Sequence, residues 1–167
     1  GVFQVFSSDH APFRFDDPQG KKLGGPNPSF DQVPNGIPGI ETRLPLLFSE
    51  GVQKGRIDIN TFVALTSTNV AKIYGLHPRK GTIAVGADAD IVIWNDTVDL
   101  QITNSMLHHN VDYTPYEGMK LTAWPEITIA RGDVVFNRGQ FEAMPGRGRF
   151  LRCDRPTPAR PRSRHTY

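Results

Sequence analysis

The sequence predicts an α/β chain whose first part has the texture of a β/α barrel and whose second part is all β. Three observations carry this. Val2-Phe3-Gln4-Val5-Phe6-Ser7-Ser8 suits a buried strand, and it ends on Asp9 just before a turn at Pro12. Apolar residues then recur at helical spacing between Ile40 and Tyr74. After Pro78 that period is lost, and short β-rich runs separated by glycine turns replace it. The expected boundaries are 1–78 for the barrel part, 79–150 for the β domain and 151–167 for a flexible basic tail.

The strand carries its interest at its end. In β/α barrels catalytic side chains stand where strands run out into the βα loops, and Asp9 has that position. On spacing alone Asp9 reads better as a plain turn residue than as a catalytic one. The stretch from Arg14 to Gly39 is rich in Gly, Pro and Asp, yet it keeps Phe15 and Phe30 and is closed by proline-fixed turns. It is expected to be an ordered loop. Ile40 to Val52 reads as a helix through Leu44, Leu47 and Phe48, with Pro45 near its start and Gly51 near its end. Asp58 should cap a second helix with Ile59, Phe62, Val63 and Leu65 on its apolar side. Ser67 or Thr68 is expected to cap a third, short helix that Gly75 and Pro78 stop. Strands follow at Ile91 to Trp94, Val98 to Thr103, Glu126 to Arg131 and Val134 to Asn137, with Gly132-Asp133 as a hairpin signal.

Composition narrows the class. Hydrophobic residues make up 38% and charged residues 22%, an ordinary balance, and no run approaches a membrane span. The net charge of +2 comes largely from the tail, at Arg149, Arg152, Arg155, Arg160, Arg162 and Arg164. The body therefore offers no basic face, and neither nucleic acid nor membrane is expected as a partner. Cys153 has no thiol to pair with, and no signal peptide is visible, so the expected location is cytoplasmic. The chain enters an apparent core strand directly from Gly1, without a methionine, which reads as a chain cut in mid-domain.

Several separated blocks resemble the cyclic amidohydrolases, specifically the C-terminal portion of the dihydropyrimidinase and D-hydantoinase family. They are Ser8-Asp9-His10-Ala11-Pro12-Phe13, Pro34-Asn35-Gly36-Ile37-Pro38-Gly39-Ile40-Glu41-Thr42-Arg43, the run from Thr66 to Tyr74, and the run from Pro78 to Asp90. Asp112 to Gly118 and Gly146 to Phe150 add two more. Each is weak alone; their common order is specific, and it spans the chain to about Phe150.

The resemblance implies an amidohydrolase-type (β/α)8 barrel with a small composite β-sandwich, Val2 to Ser8 being the last barrel strand. It implies hydrolytic opening of a cyclic amide or imide, such as dihydrouracil or a hydantoin, to an N-carbamoyl amino acid. It also implies two divalent metal ions, commonly zinc, and a homotetramer. By the same resemblance Asp9 is both a metal ligand and the catalytic proton carrier, and Asn35 binds substrate through its backbone. The family's remaining ligands are a His-x-His pair, a carboxylated lysine and two further histidines. No His-x-His occurs here, so the isolated chain is expected to be inactive.

The other polar residues have plainer readings. His10 should order its loop, His77 should lie in a surface turn, and His108-His109 should serve an interface, since adjacent side chains diverge. His165 falls in the tail, and Cys153 reads as a structural thiol. Glu41 and Arg43 should be salt-bridged supports, and Asp88 and Asp90 turn formers. Non-catalytic collapsin-response-mediator adaptors share these blocks, but typically replace the aspartate and asparagine kept here as Asp9 and Asn35. Allantoinase and dihydroorotase remain alternatives within the same superfamily.

Overall fold

The computed structural model describes residues 2–156. The expectations for His165 and for the tail from residue 157 onward lie outside the described residues.

Helices form where the apolar period placed them. Helix α1 (Arg43–Leu46) runs without a break into a π-helical turn, Leu47–Gln53. Helix α2 (Ile59–Val63) begins at Asp58, whose carboxylate accepts from the Thr61 amide at 2.6 Å. It continues through a second π-helical stretch, Ala64–Thr68, into α3 (Asn69–Ile73). The expected cap at Ser67 or Thr68 is therefore absent. Thr68 is itself helical, and its hydroxyl donates to the Gly81 carbonyl at 2.7 Å, so a tertiary partner has replaced the local one.

The β part is a four-stranded antiparallel sheet in the order β1-β4-β5-β6, beside a separate pair, β2 with β3. The strands are β1 (Ile91–Asn95), β2 (Leu100–Gln101), β3 (Lys120–Leu121), β4 (Trp124–Ala130), β5 (Asp133–Asn137) and β6 (Gln140–Phe141). The strand expected over Val98 to Thr103 shrinks to two residues. The hairpin turn between β4 and β5 is Arg131-Gly132, one residue earlier than expected, with positive φ at both positions. Arg138-Gly139 repeats that geometry between β5 and β6. Paired positive φ values match the right-handed twist of the strands they join, which is why an X-Gly pair suits both turns.

No strand forms over Val2 to Ser8. The segment makes isolated bonds instead: the Phe6 amide donates to Leu65 O at 3.0 Å, Asn69 Nδ2 donates to Gln4 O at 3.0 Å, and Arg43 donates to Phe6 O. A ladder needs a neighbouring strand, and among the described residues helical segments lie beside this stretch. Val2 and Phe3 are correspondingly 88% and 82% exposed.

Helices and sheet meet in an aromatic cluster. Phe48 stacks on Trp94 with ring centroids 4.8 Å apart, and Phe62 meets both rings edge-on at 5.3 and 5.8 Å. Beside them the buried Ser49 hydroxyl accepts from the Thr122 and Ala123 amides, each at 3.2 Å. That gives the buried Ala123 amide a partner which the β3–β4 link would otherwise leave it without. Among the described residues no helix is long and apolar enough to cross a membrane. Replacing Phe62, which is 5% exposed, by alanine should cost about 3–5 kcal/mol, read as a lower urea midpoint in the protein carrying this chain.

Candidate functional site

Asp9 and Asn35 lie in two loops that the backbone ties together. The Ala11 amide donates to Ile37 O at 3.1 Å. Gly36 packs directly on Ala11: a Cβ at Gly36 would lie 2.5 Å from the Ala11 Cβ and 3.8 Å from Asp9 O. With φ at +81°, Gly36 also needs the freedom that only glycine has cheaply. Asp9 itself has φ of +45°, a left-handed conformation that a short polar residue tolerates better than most. Its side chain is exposed, and among the described residues its carboxylate has no hydrogen-bonded or ionic partner.

His10 orders the loop, as expected. Its Nδ1 accepts from the Gly39 amide at 3.1 Å and the Ile40 amide at 3.4 Å, which commits that nitrogen and turns the ring away from any ligand role through it. Its ring centroid stands 6.4 Å from that of His109. His109 donates from Nε2 to Asn104 Oδ1 at 3.0 Å. Burial holds His109 below its ordinary pKa; Glu41 opposes this and His10 adds to it.

Glu41 and Arg43 are supports, but not partners of each other. Glu41 accepts from the backbone amide and from Nδ1 of His108, both at 2.7 Å, and Arg43 reaches back to Phe6 O. His108 in turn lies edge-on to Phe136 and Phe141, at 6.1 and 4.6 Å. The two adjacent histidines therefore face different partners, and Glu41 joins the start of the helical segment to the sheet. Asp88 and Asp90 prove to be ion-paired rather than simple turn formers. Lys80 contacts both, Arg79 contacts Asp88, and the Arg131 amide donates to Asp90 at 2.8 Å. The Lys80 hydrogen bond holds the Asp88 carboxyl below its usual range against the effect of burial. Cys153 is an exposed free thiol, and near it the Asp154 amide donates to Gly75 O at 2.8 Å.

The long loop is ordered by two residues that sequence reasoning did not single out. The Asp112 carboxylate accepts from the amides of Phe15 and Asp16, at 2.7 and 2.8 Å. These two backbone bonds hold its pKa below the ordinary value, against burial. Lys21 donates to Pro34 O and Gly36 O, the carbonyls on either side of Asn35. Neither role has a sequence signature, because backbone groups are the partners in both. A cavity of about 900 Å³ opens among Phe15, Lys22, Pro26, Val33 and Tyr113; neither Asp9 nor Asn35 lines it.

Among the described residues no three His, Cys, Asp or Glu side chains converge to hold a metal. Asp9 can contribute one carboxylate to such a centre and cannot form one, so no catalytic step through a metal is assigned to this chain.

Comparison with known proteins agrees with the blocks seen in the sequence. The model for the amidohydrolase family matches residues 1–135. A D-hydantoinase from Geobacillus stearothermophilus is 47% identical over 152 residues, 91% of this chain and 31% of the relative. Dihydropyrimidinase 2 of Caenorhabditis elegans is 42% identical over 90% of this chain and 28% of its own length. The crystal structure of dihydropyrimidinase from Brevibacillus agri superposes with a TM-score of 0.85 at 47% identity, covering 95% of this chain and 33% of that one. The chain thus spans about a third of the relatives it matches.

The Asp112 clamp has a pH signature. A carboxylate whose folded pKa is lowered contributes stability above its unfolded value of about 3.9, and loses it as pH falls through the lower folded value. Hydrogen exchange should show the Phe15 and Asp16 amides protected at neutral pH and released only as pH falls below the ordinary carboxylate range. In Asp112→Asn the protection should already be weakened at pH 7; equal protection in both proteins contradicts the clamp.

Proposed function

The chain belongs to the amidohydrolase family, and from that premise we propose that it is the C-terminal portion of a metal-dependent cyclic amidohydrolase. In this reading the complete enzyme opens dihydropyrimidine or hydantoin rings to N-carbamoyl amino acids. The observation that carries the proposal is the junction of the Asp9 turn with the Asn35 turn, through Ala11, Gly36 and Ile37. It sets a carboxylate that is unpaired among the described residues beside a backbone turn that a ring amide can approach, in a chain 47% identical to a D-hydantoinase.

Ring opening requires a C–O bond to form at the amide carbon and the C–N bond to break. A water attacking that carbon must lose a proton, and the departing ring nitrogen must gain one. The Asp9 carboxylate serves both needs: it accepts the proton from the nucleophile and returns it to the nitrogen. The Asn35 backbone fixes the ring amide so that the carbon under attack faces Asp9. The complete enzyme, in this proposal, holds two divalent ions, zinc, which when bound supply a nucleophilic hydroxide near neutral pH. Asp9 is one of their ligands; the rest lie outside this chain. A homotetrameric, cytoplasmic enzyme is the corresponding proposal for assembly and location.

Two outcomes test this. The purified 167-residue chain with added zinc should release no N-carbamoyl product from dihydrouracil or hydantoin; product above background would contradict the dependence on further ligands. In the complete enzyme, Asp9→Asn should lower turnover by about a hundred- to ten-thousand-fold. Near-normal turnover in that variant would remove Asp9 from the proposed role.

A further inference from the structure

We propose that Lys21 is a positioning residue for substrate binding: its ammonium clasps both carbonyls flanking Asn35 and so fixes which way the Asn35 peptide faces. The inference rests on the cyclic-amide reading above and extends it to a residue outside the two carried by family resemblance.

Lys21 and Lys22 are neighbours with opposite fates. Lys22 does what a surface lysine usually does, pairing with the Asp16 carboxylate and lying 5.1 Å over the Phe15 ring. Lys21 contacts no carboxylate among the described residues. Its Nζ donates to Pro34 O and, at 2.5 Å, to Gly36 O, and stands 5.6 Å over the Phe13 ring. Its own backbone is anchored, the amide donating to Arg14 O at 2.9 Å. An ammonium has three donors and no acceptor, so two carbonyls and a ring face use it fully. Such charge-assisted bonds are the stronger kind.

Peptide geometry turns that clasp into a statement about Asn35. In a trans peptide the C=O and the following N–H point in opposite directions. With Pro34 O drawn to Lys21, the Asn35 N–H faces away from it; with Gly36 O drawn the same way, so does the Ile37 N–H. The Asn35 N–H donates to no protein group among the described residues, which leaves it for a ligand carbonyl. On its other flank Gly36 is already against Ala11, so the turn is gripped from two sides and has little room to rotate. Without the ammonium, two carbonyls lose their shared donor and the Asn35 peptide is free to flip.

The test uses the complete enzyme, with Lys21→Met as the variant, Lys22→Met as the control, and dihydrouracil and hydantoin as substrates. Losing charge-assisted bonds that orient the bound ring should raise KM and lower kcat/KM about tenfold or more, with the melting temperature unchanged. Lys22→Met should leave both constants as they are. Lys21→Arg, which keeps the charge but reaches with a planar fork, should recover part of the loss. Thermal unfolding separates binding from structure: Lys21→Met should melt with the control. An unchanged KM overturns the proposal, and so does a joint fall of kcat and melting temperature, which marks a merely structural lysine. Should Lys21→Met not fold, the KM of Lys21→Arg and Lys21→Gln decides in the same way. If the wild-type enzyme opens no cyclic amide, the functional reading fails first; if it does and KM is indifferent to Lys21, only this inference falls.

Discussion

The contact on which the rest depends is the stacking of Trp94 on Phe48, with Phe62 set edge-on to both. Trp94 sits in the first strand of the sheet, Phe48 in the first helical segment and Phe62 in the second. One aromatic cluster therefore joins both helical segments to the first strand of the sheet. Ring area is the reason this works: each aromatic side chain removes more apolar surface from water than an aliphatic one and adds a preferred ring geometry. Ser49, one residue beyond Phe48, uses its hydroxyl to satisfy two backbone donors of the β3–β4 link. The helix is thus fixed against the strands both by burial and by hydrogen bonds that no water needs to supply.

The loops that carry Asp9 and Asn35 are held differently. They bury little, and their order comes from polar groups binding backbone: Asp112 on two amides, Lys21 on two carbonyls, His10 on two more amides, Arg43 on Phe6 O. Backbone partners suit this task. A side chain that grips two neighbouring backbone groups fixes their orientation, whereas an ion pair fixes only the distance between two flexible ends. The loop between Arg14 and Gly39 is long for a compact domain, and these bidentate grips are what let it stay ordered without a core of its own.

This division also explains what the sequence disclosed. The helices were legible because burial on one face imposes a period, and the strands β1, β4 and β5 because β-rich runs between glycine turns survive in the order of residues. Asp58 was legible as a cap because its partner is local. Thr68 was not, since its hydroxyl went to Gly81, thirteen positions on, where no local rule reaches. The hairpin turn was displaced by one because Gly132 fills the second turn position and Arg131 the first. Val2 to Ser8 has a strand's composition, but a strand also needs a neighbour, and composition does not supply one. The clamping roles of Lys21 and Asp112 were invisible for a deeper reason: every residue offers the same carbonyl and amide, so nothing in the sequence marks which ones a charge will hold.

Asp9 combines the two kinds of information. Its position at the end of an apolar run was readable, but its backbone conformation was not. A left-handed φ at a non-glycine residue costs something even for aspartate, and it persists only where surrounding bonds impose it. Here the Ala11 amide bound to Ile37 O, and the Arg43 guanidinium bound to Phe6 O, fix the chain on both sides of the residue. The same bonds that strain the backbone hold the Asp9 turn against Gly36, and through Gly36 against the turn that Lys21 grips. A carboxylate with no partner among the described residues is thereby placed by its main chain alone.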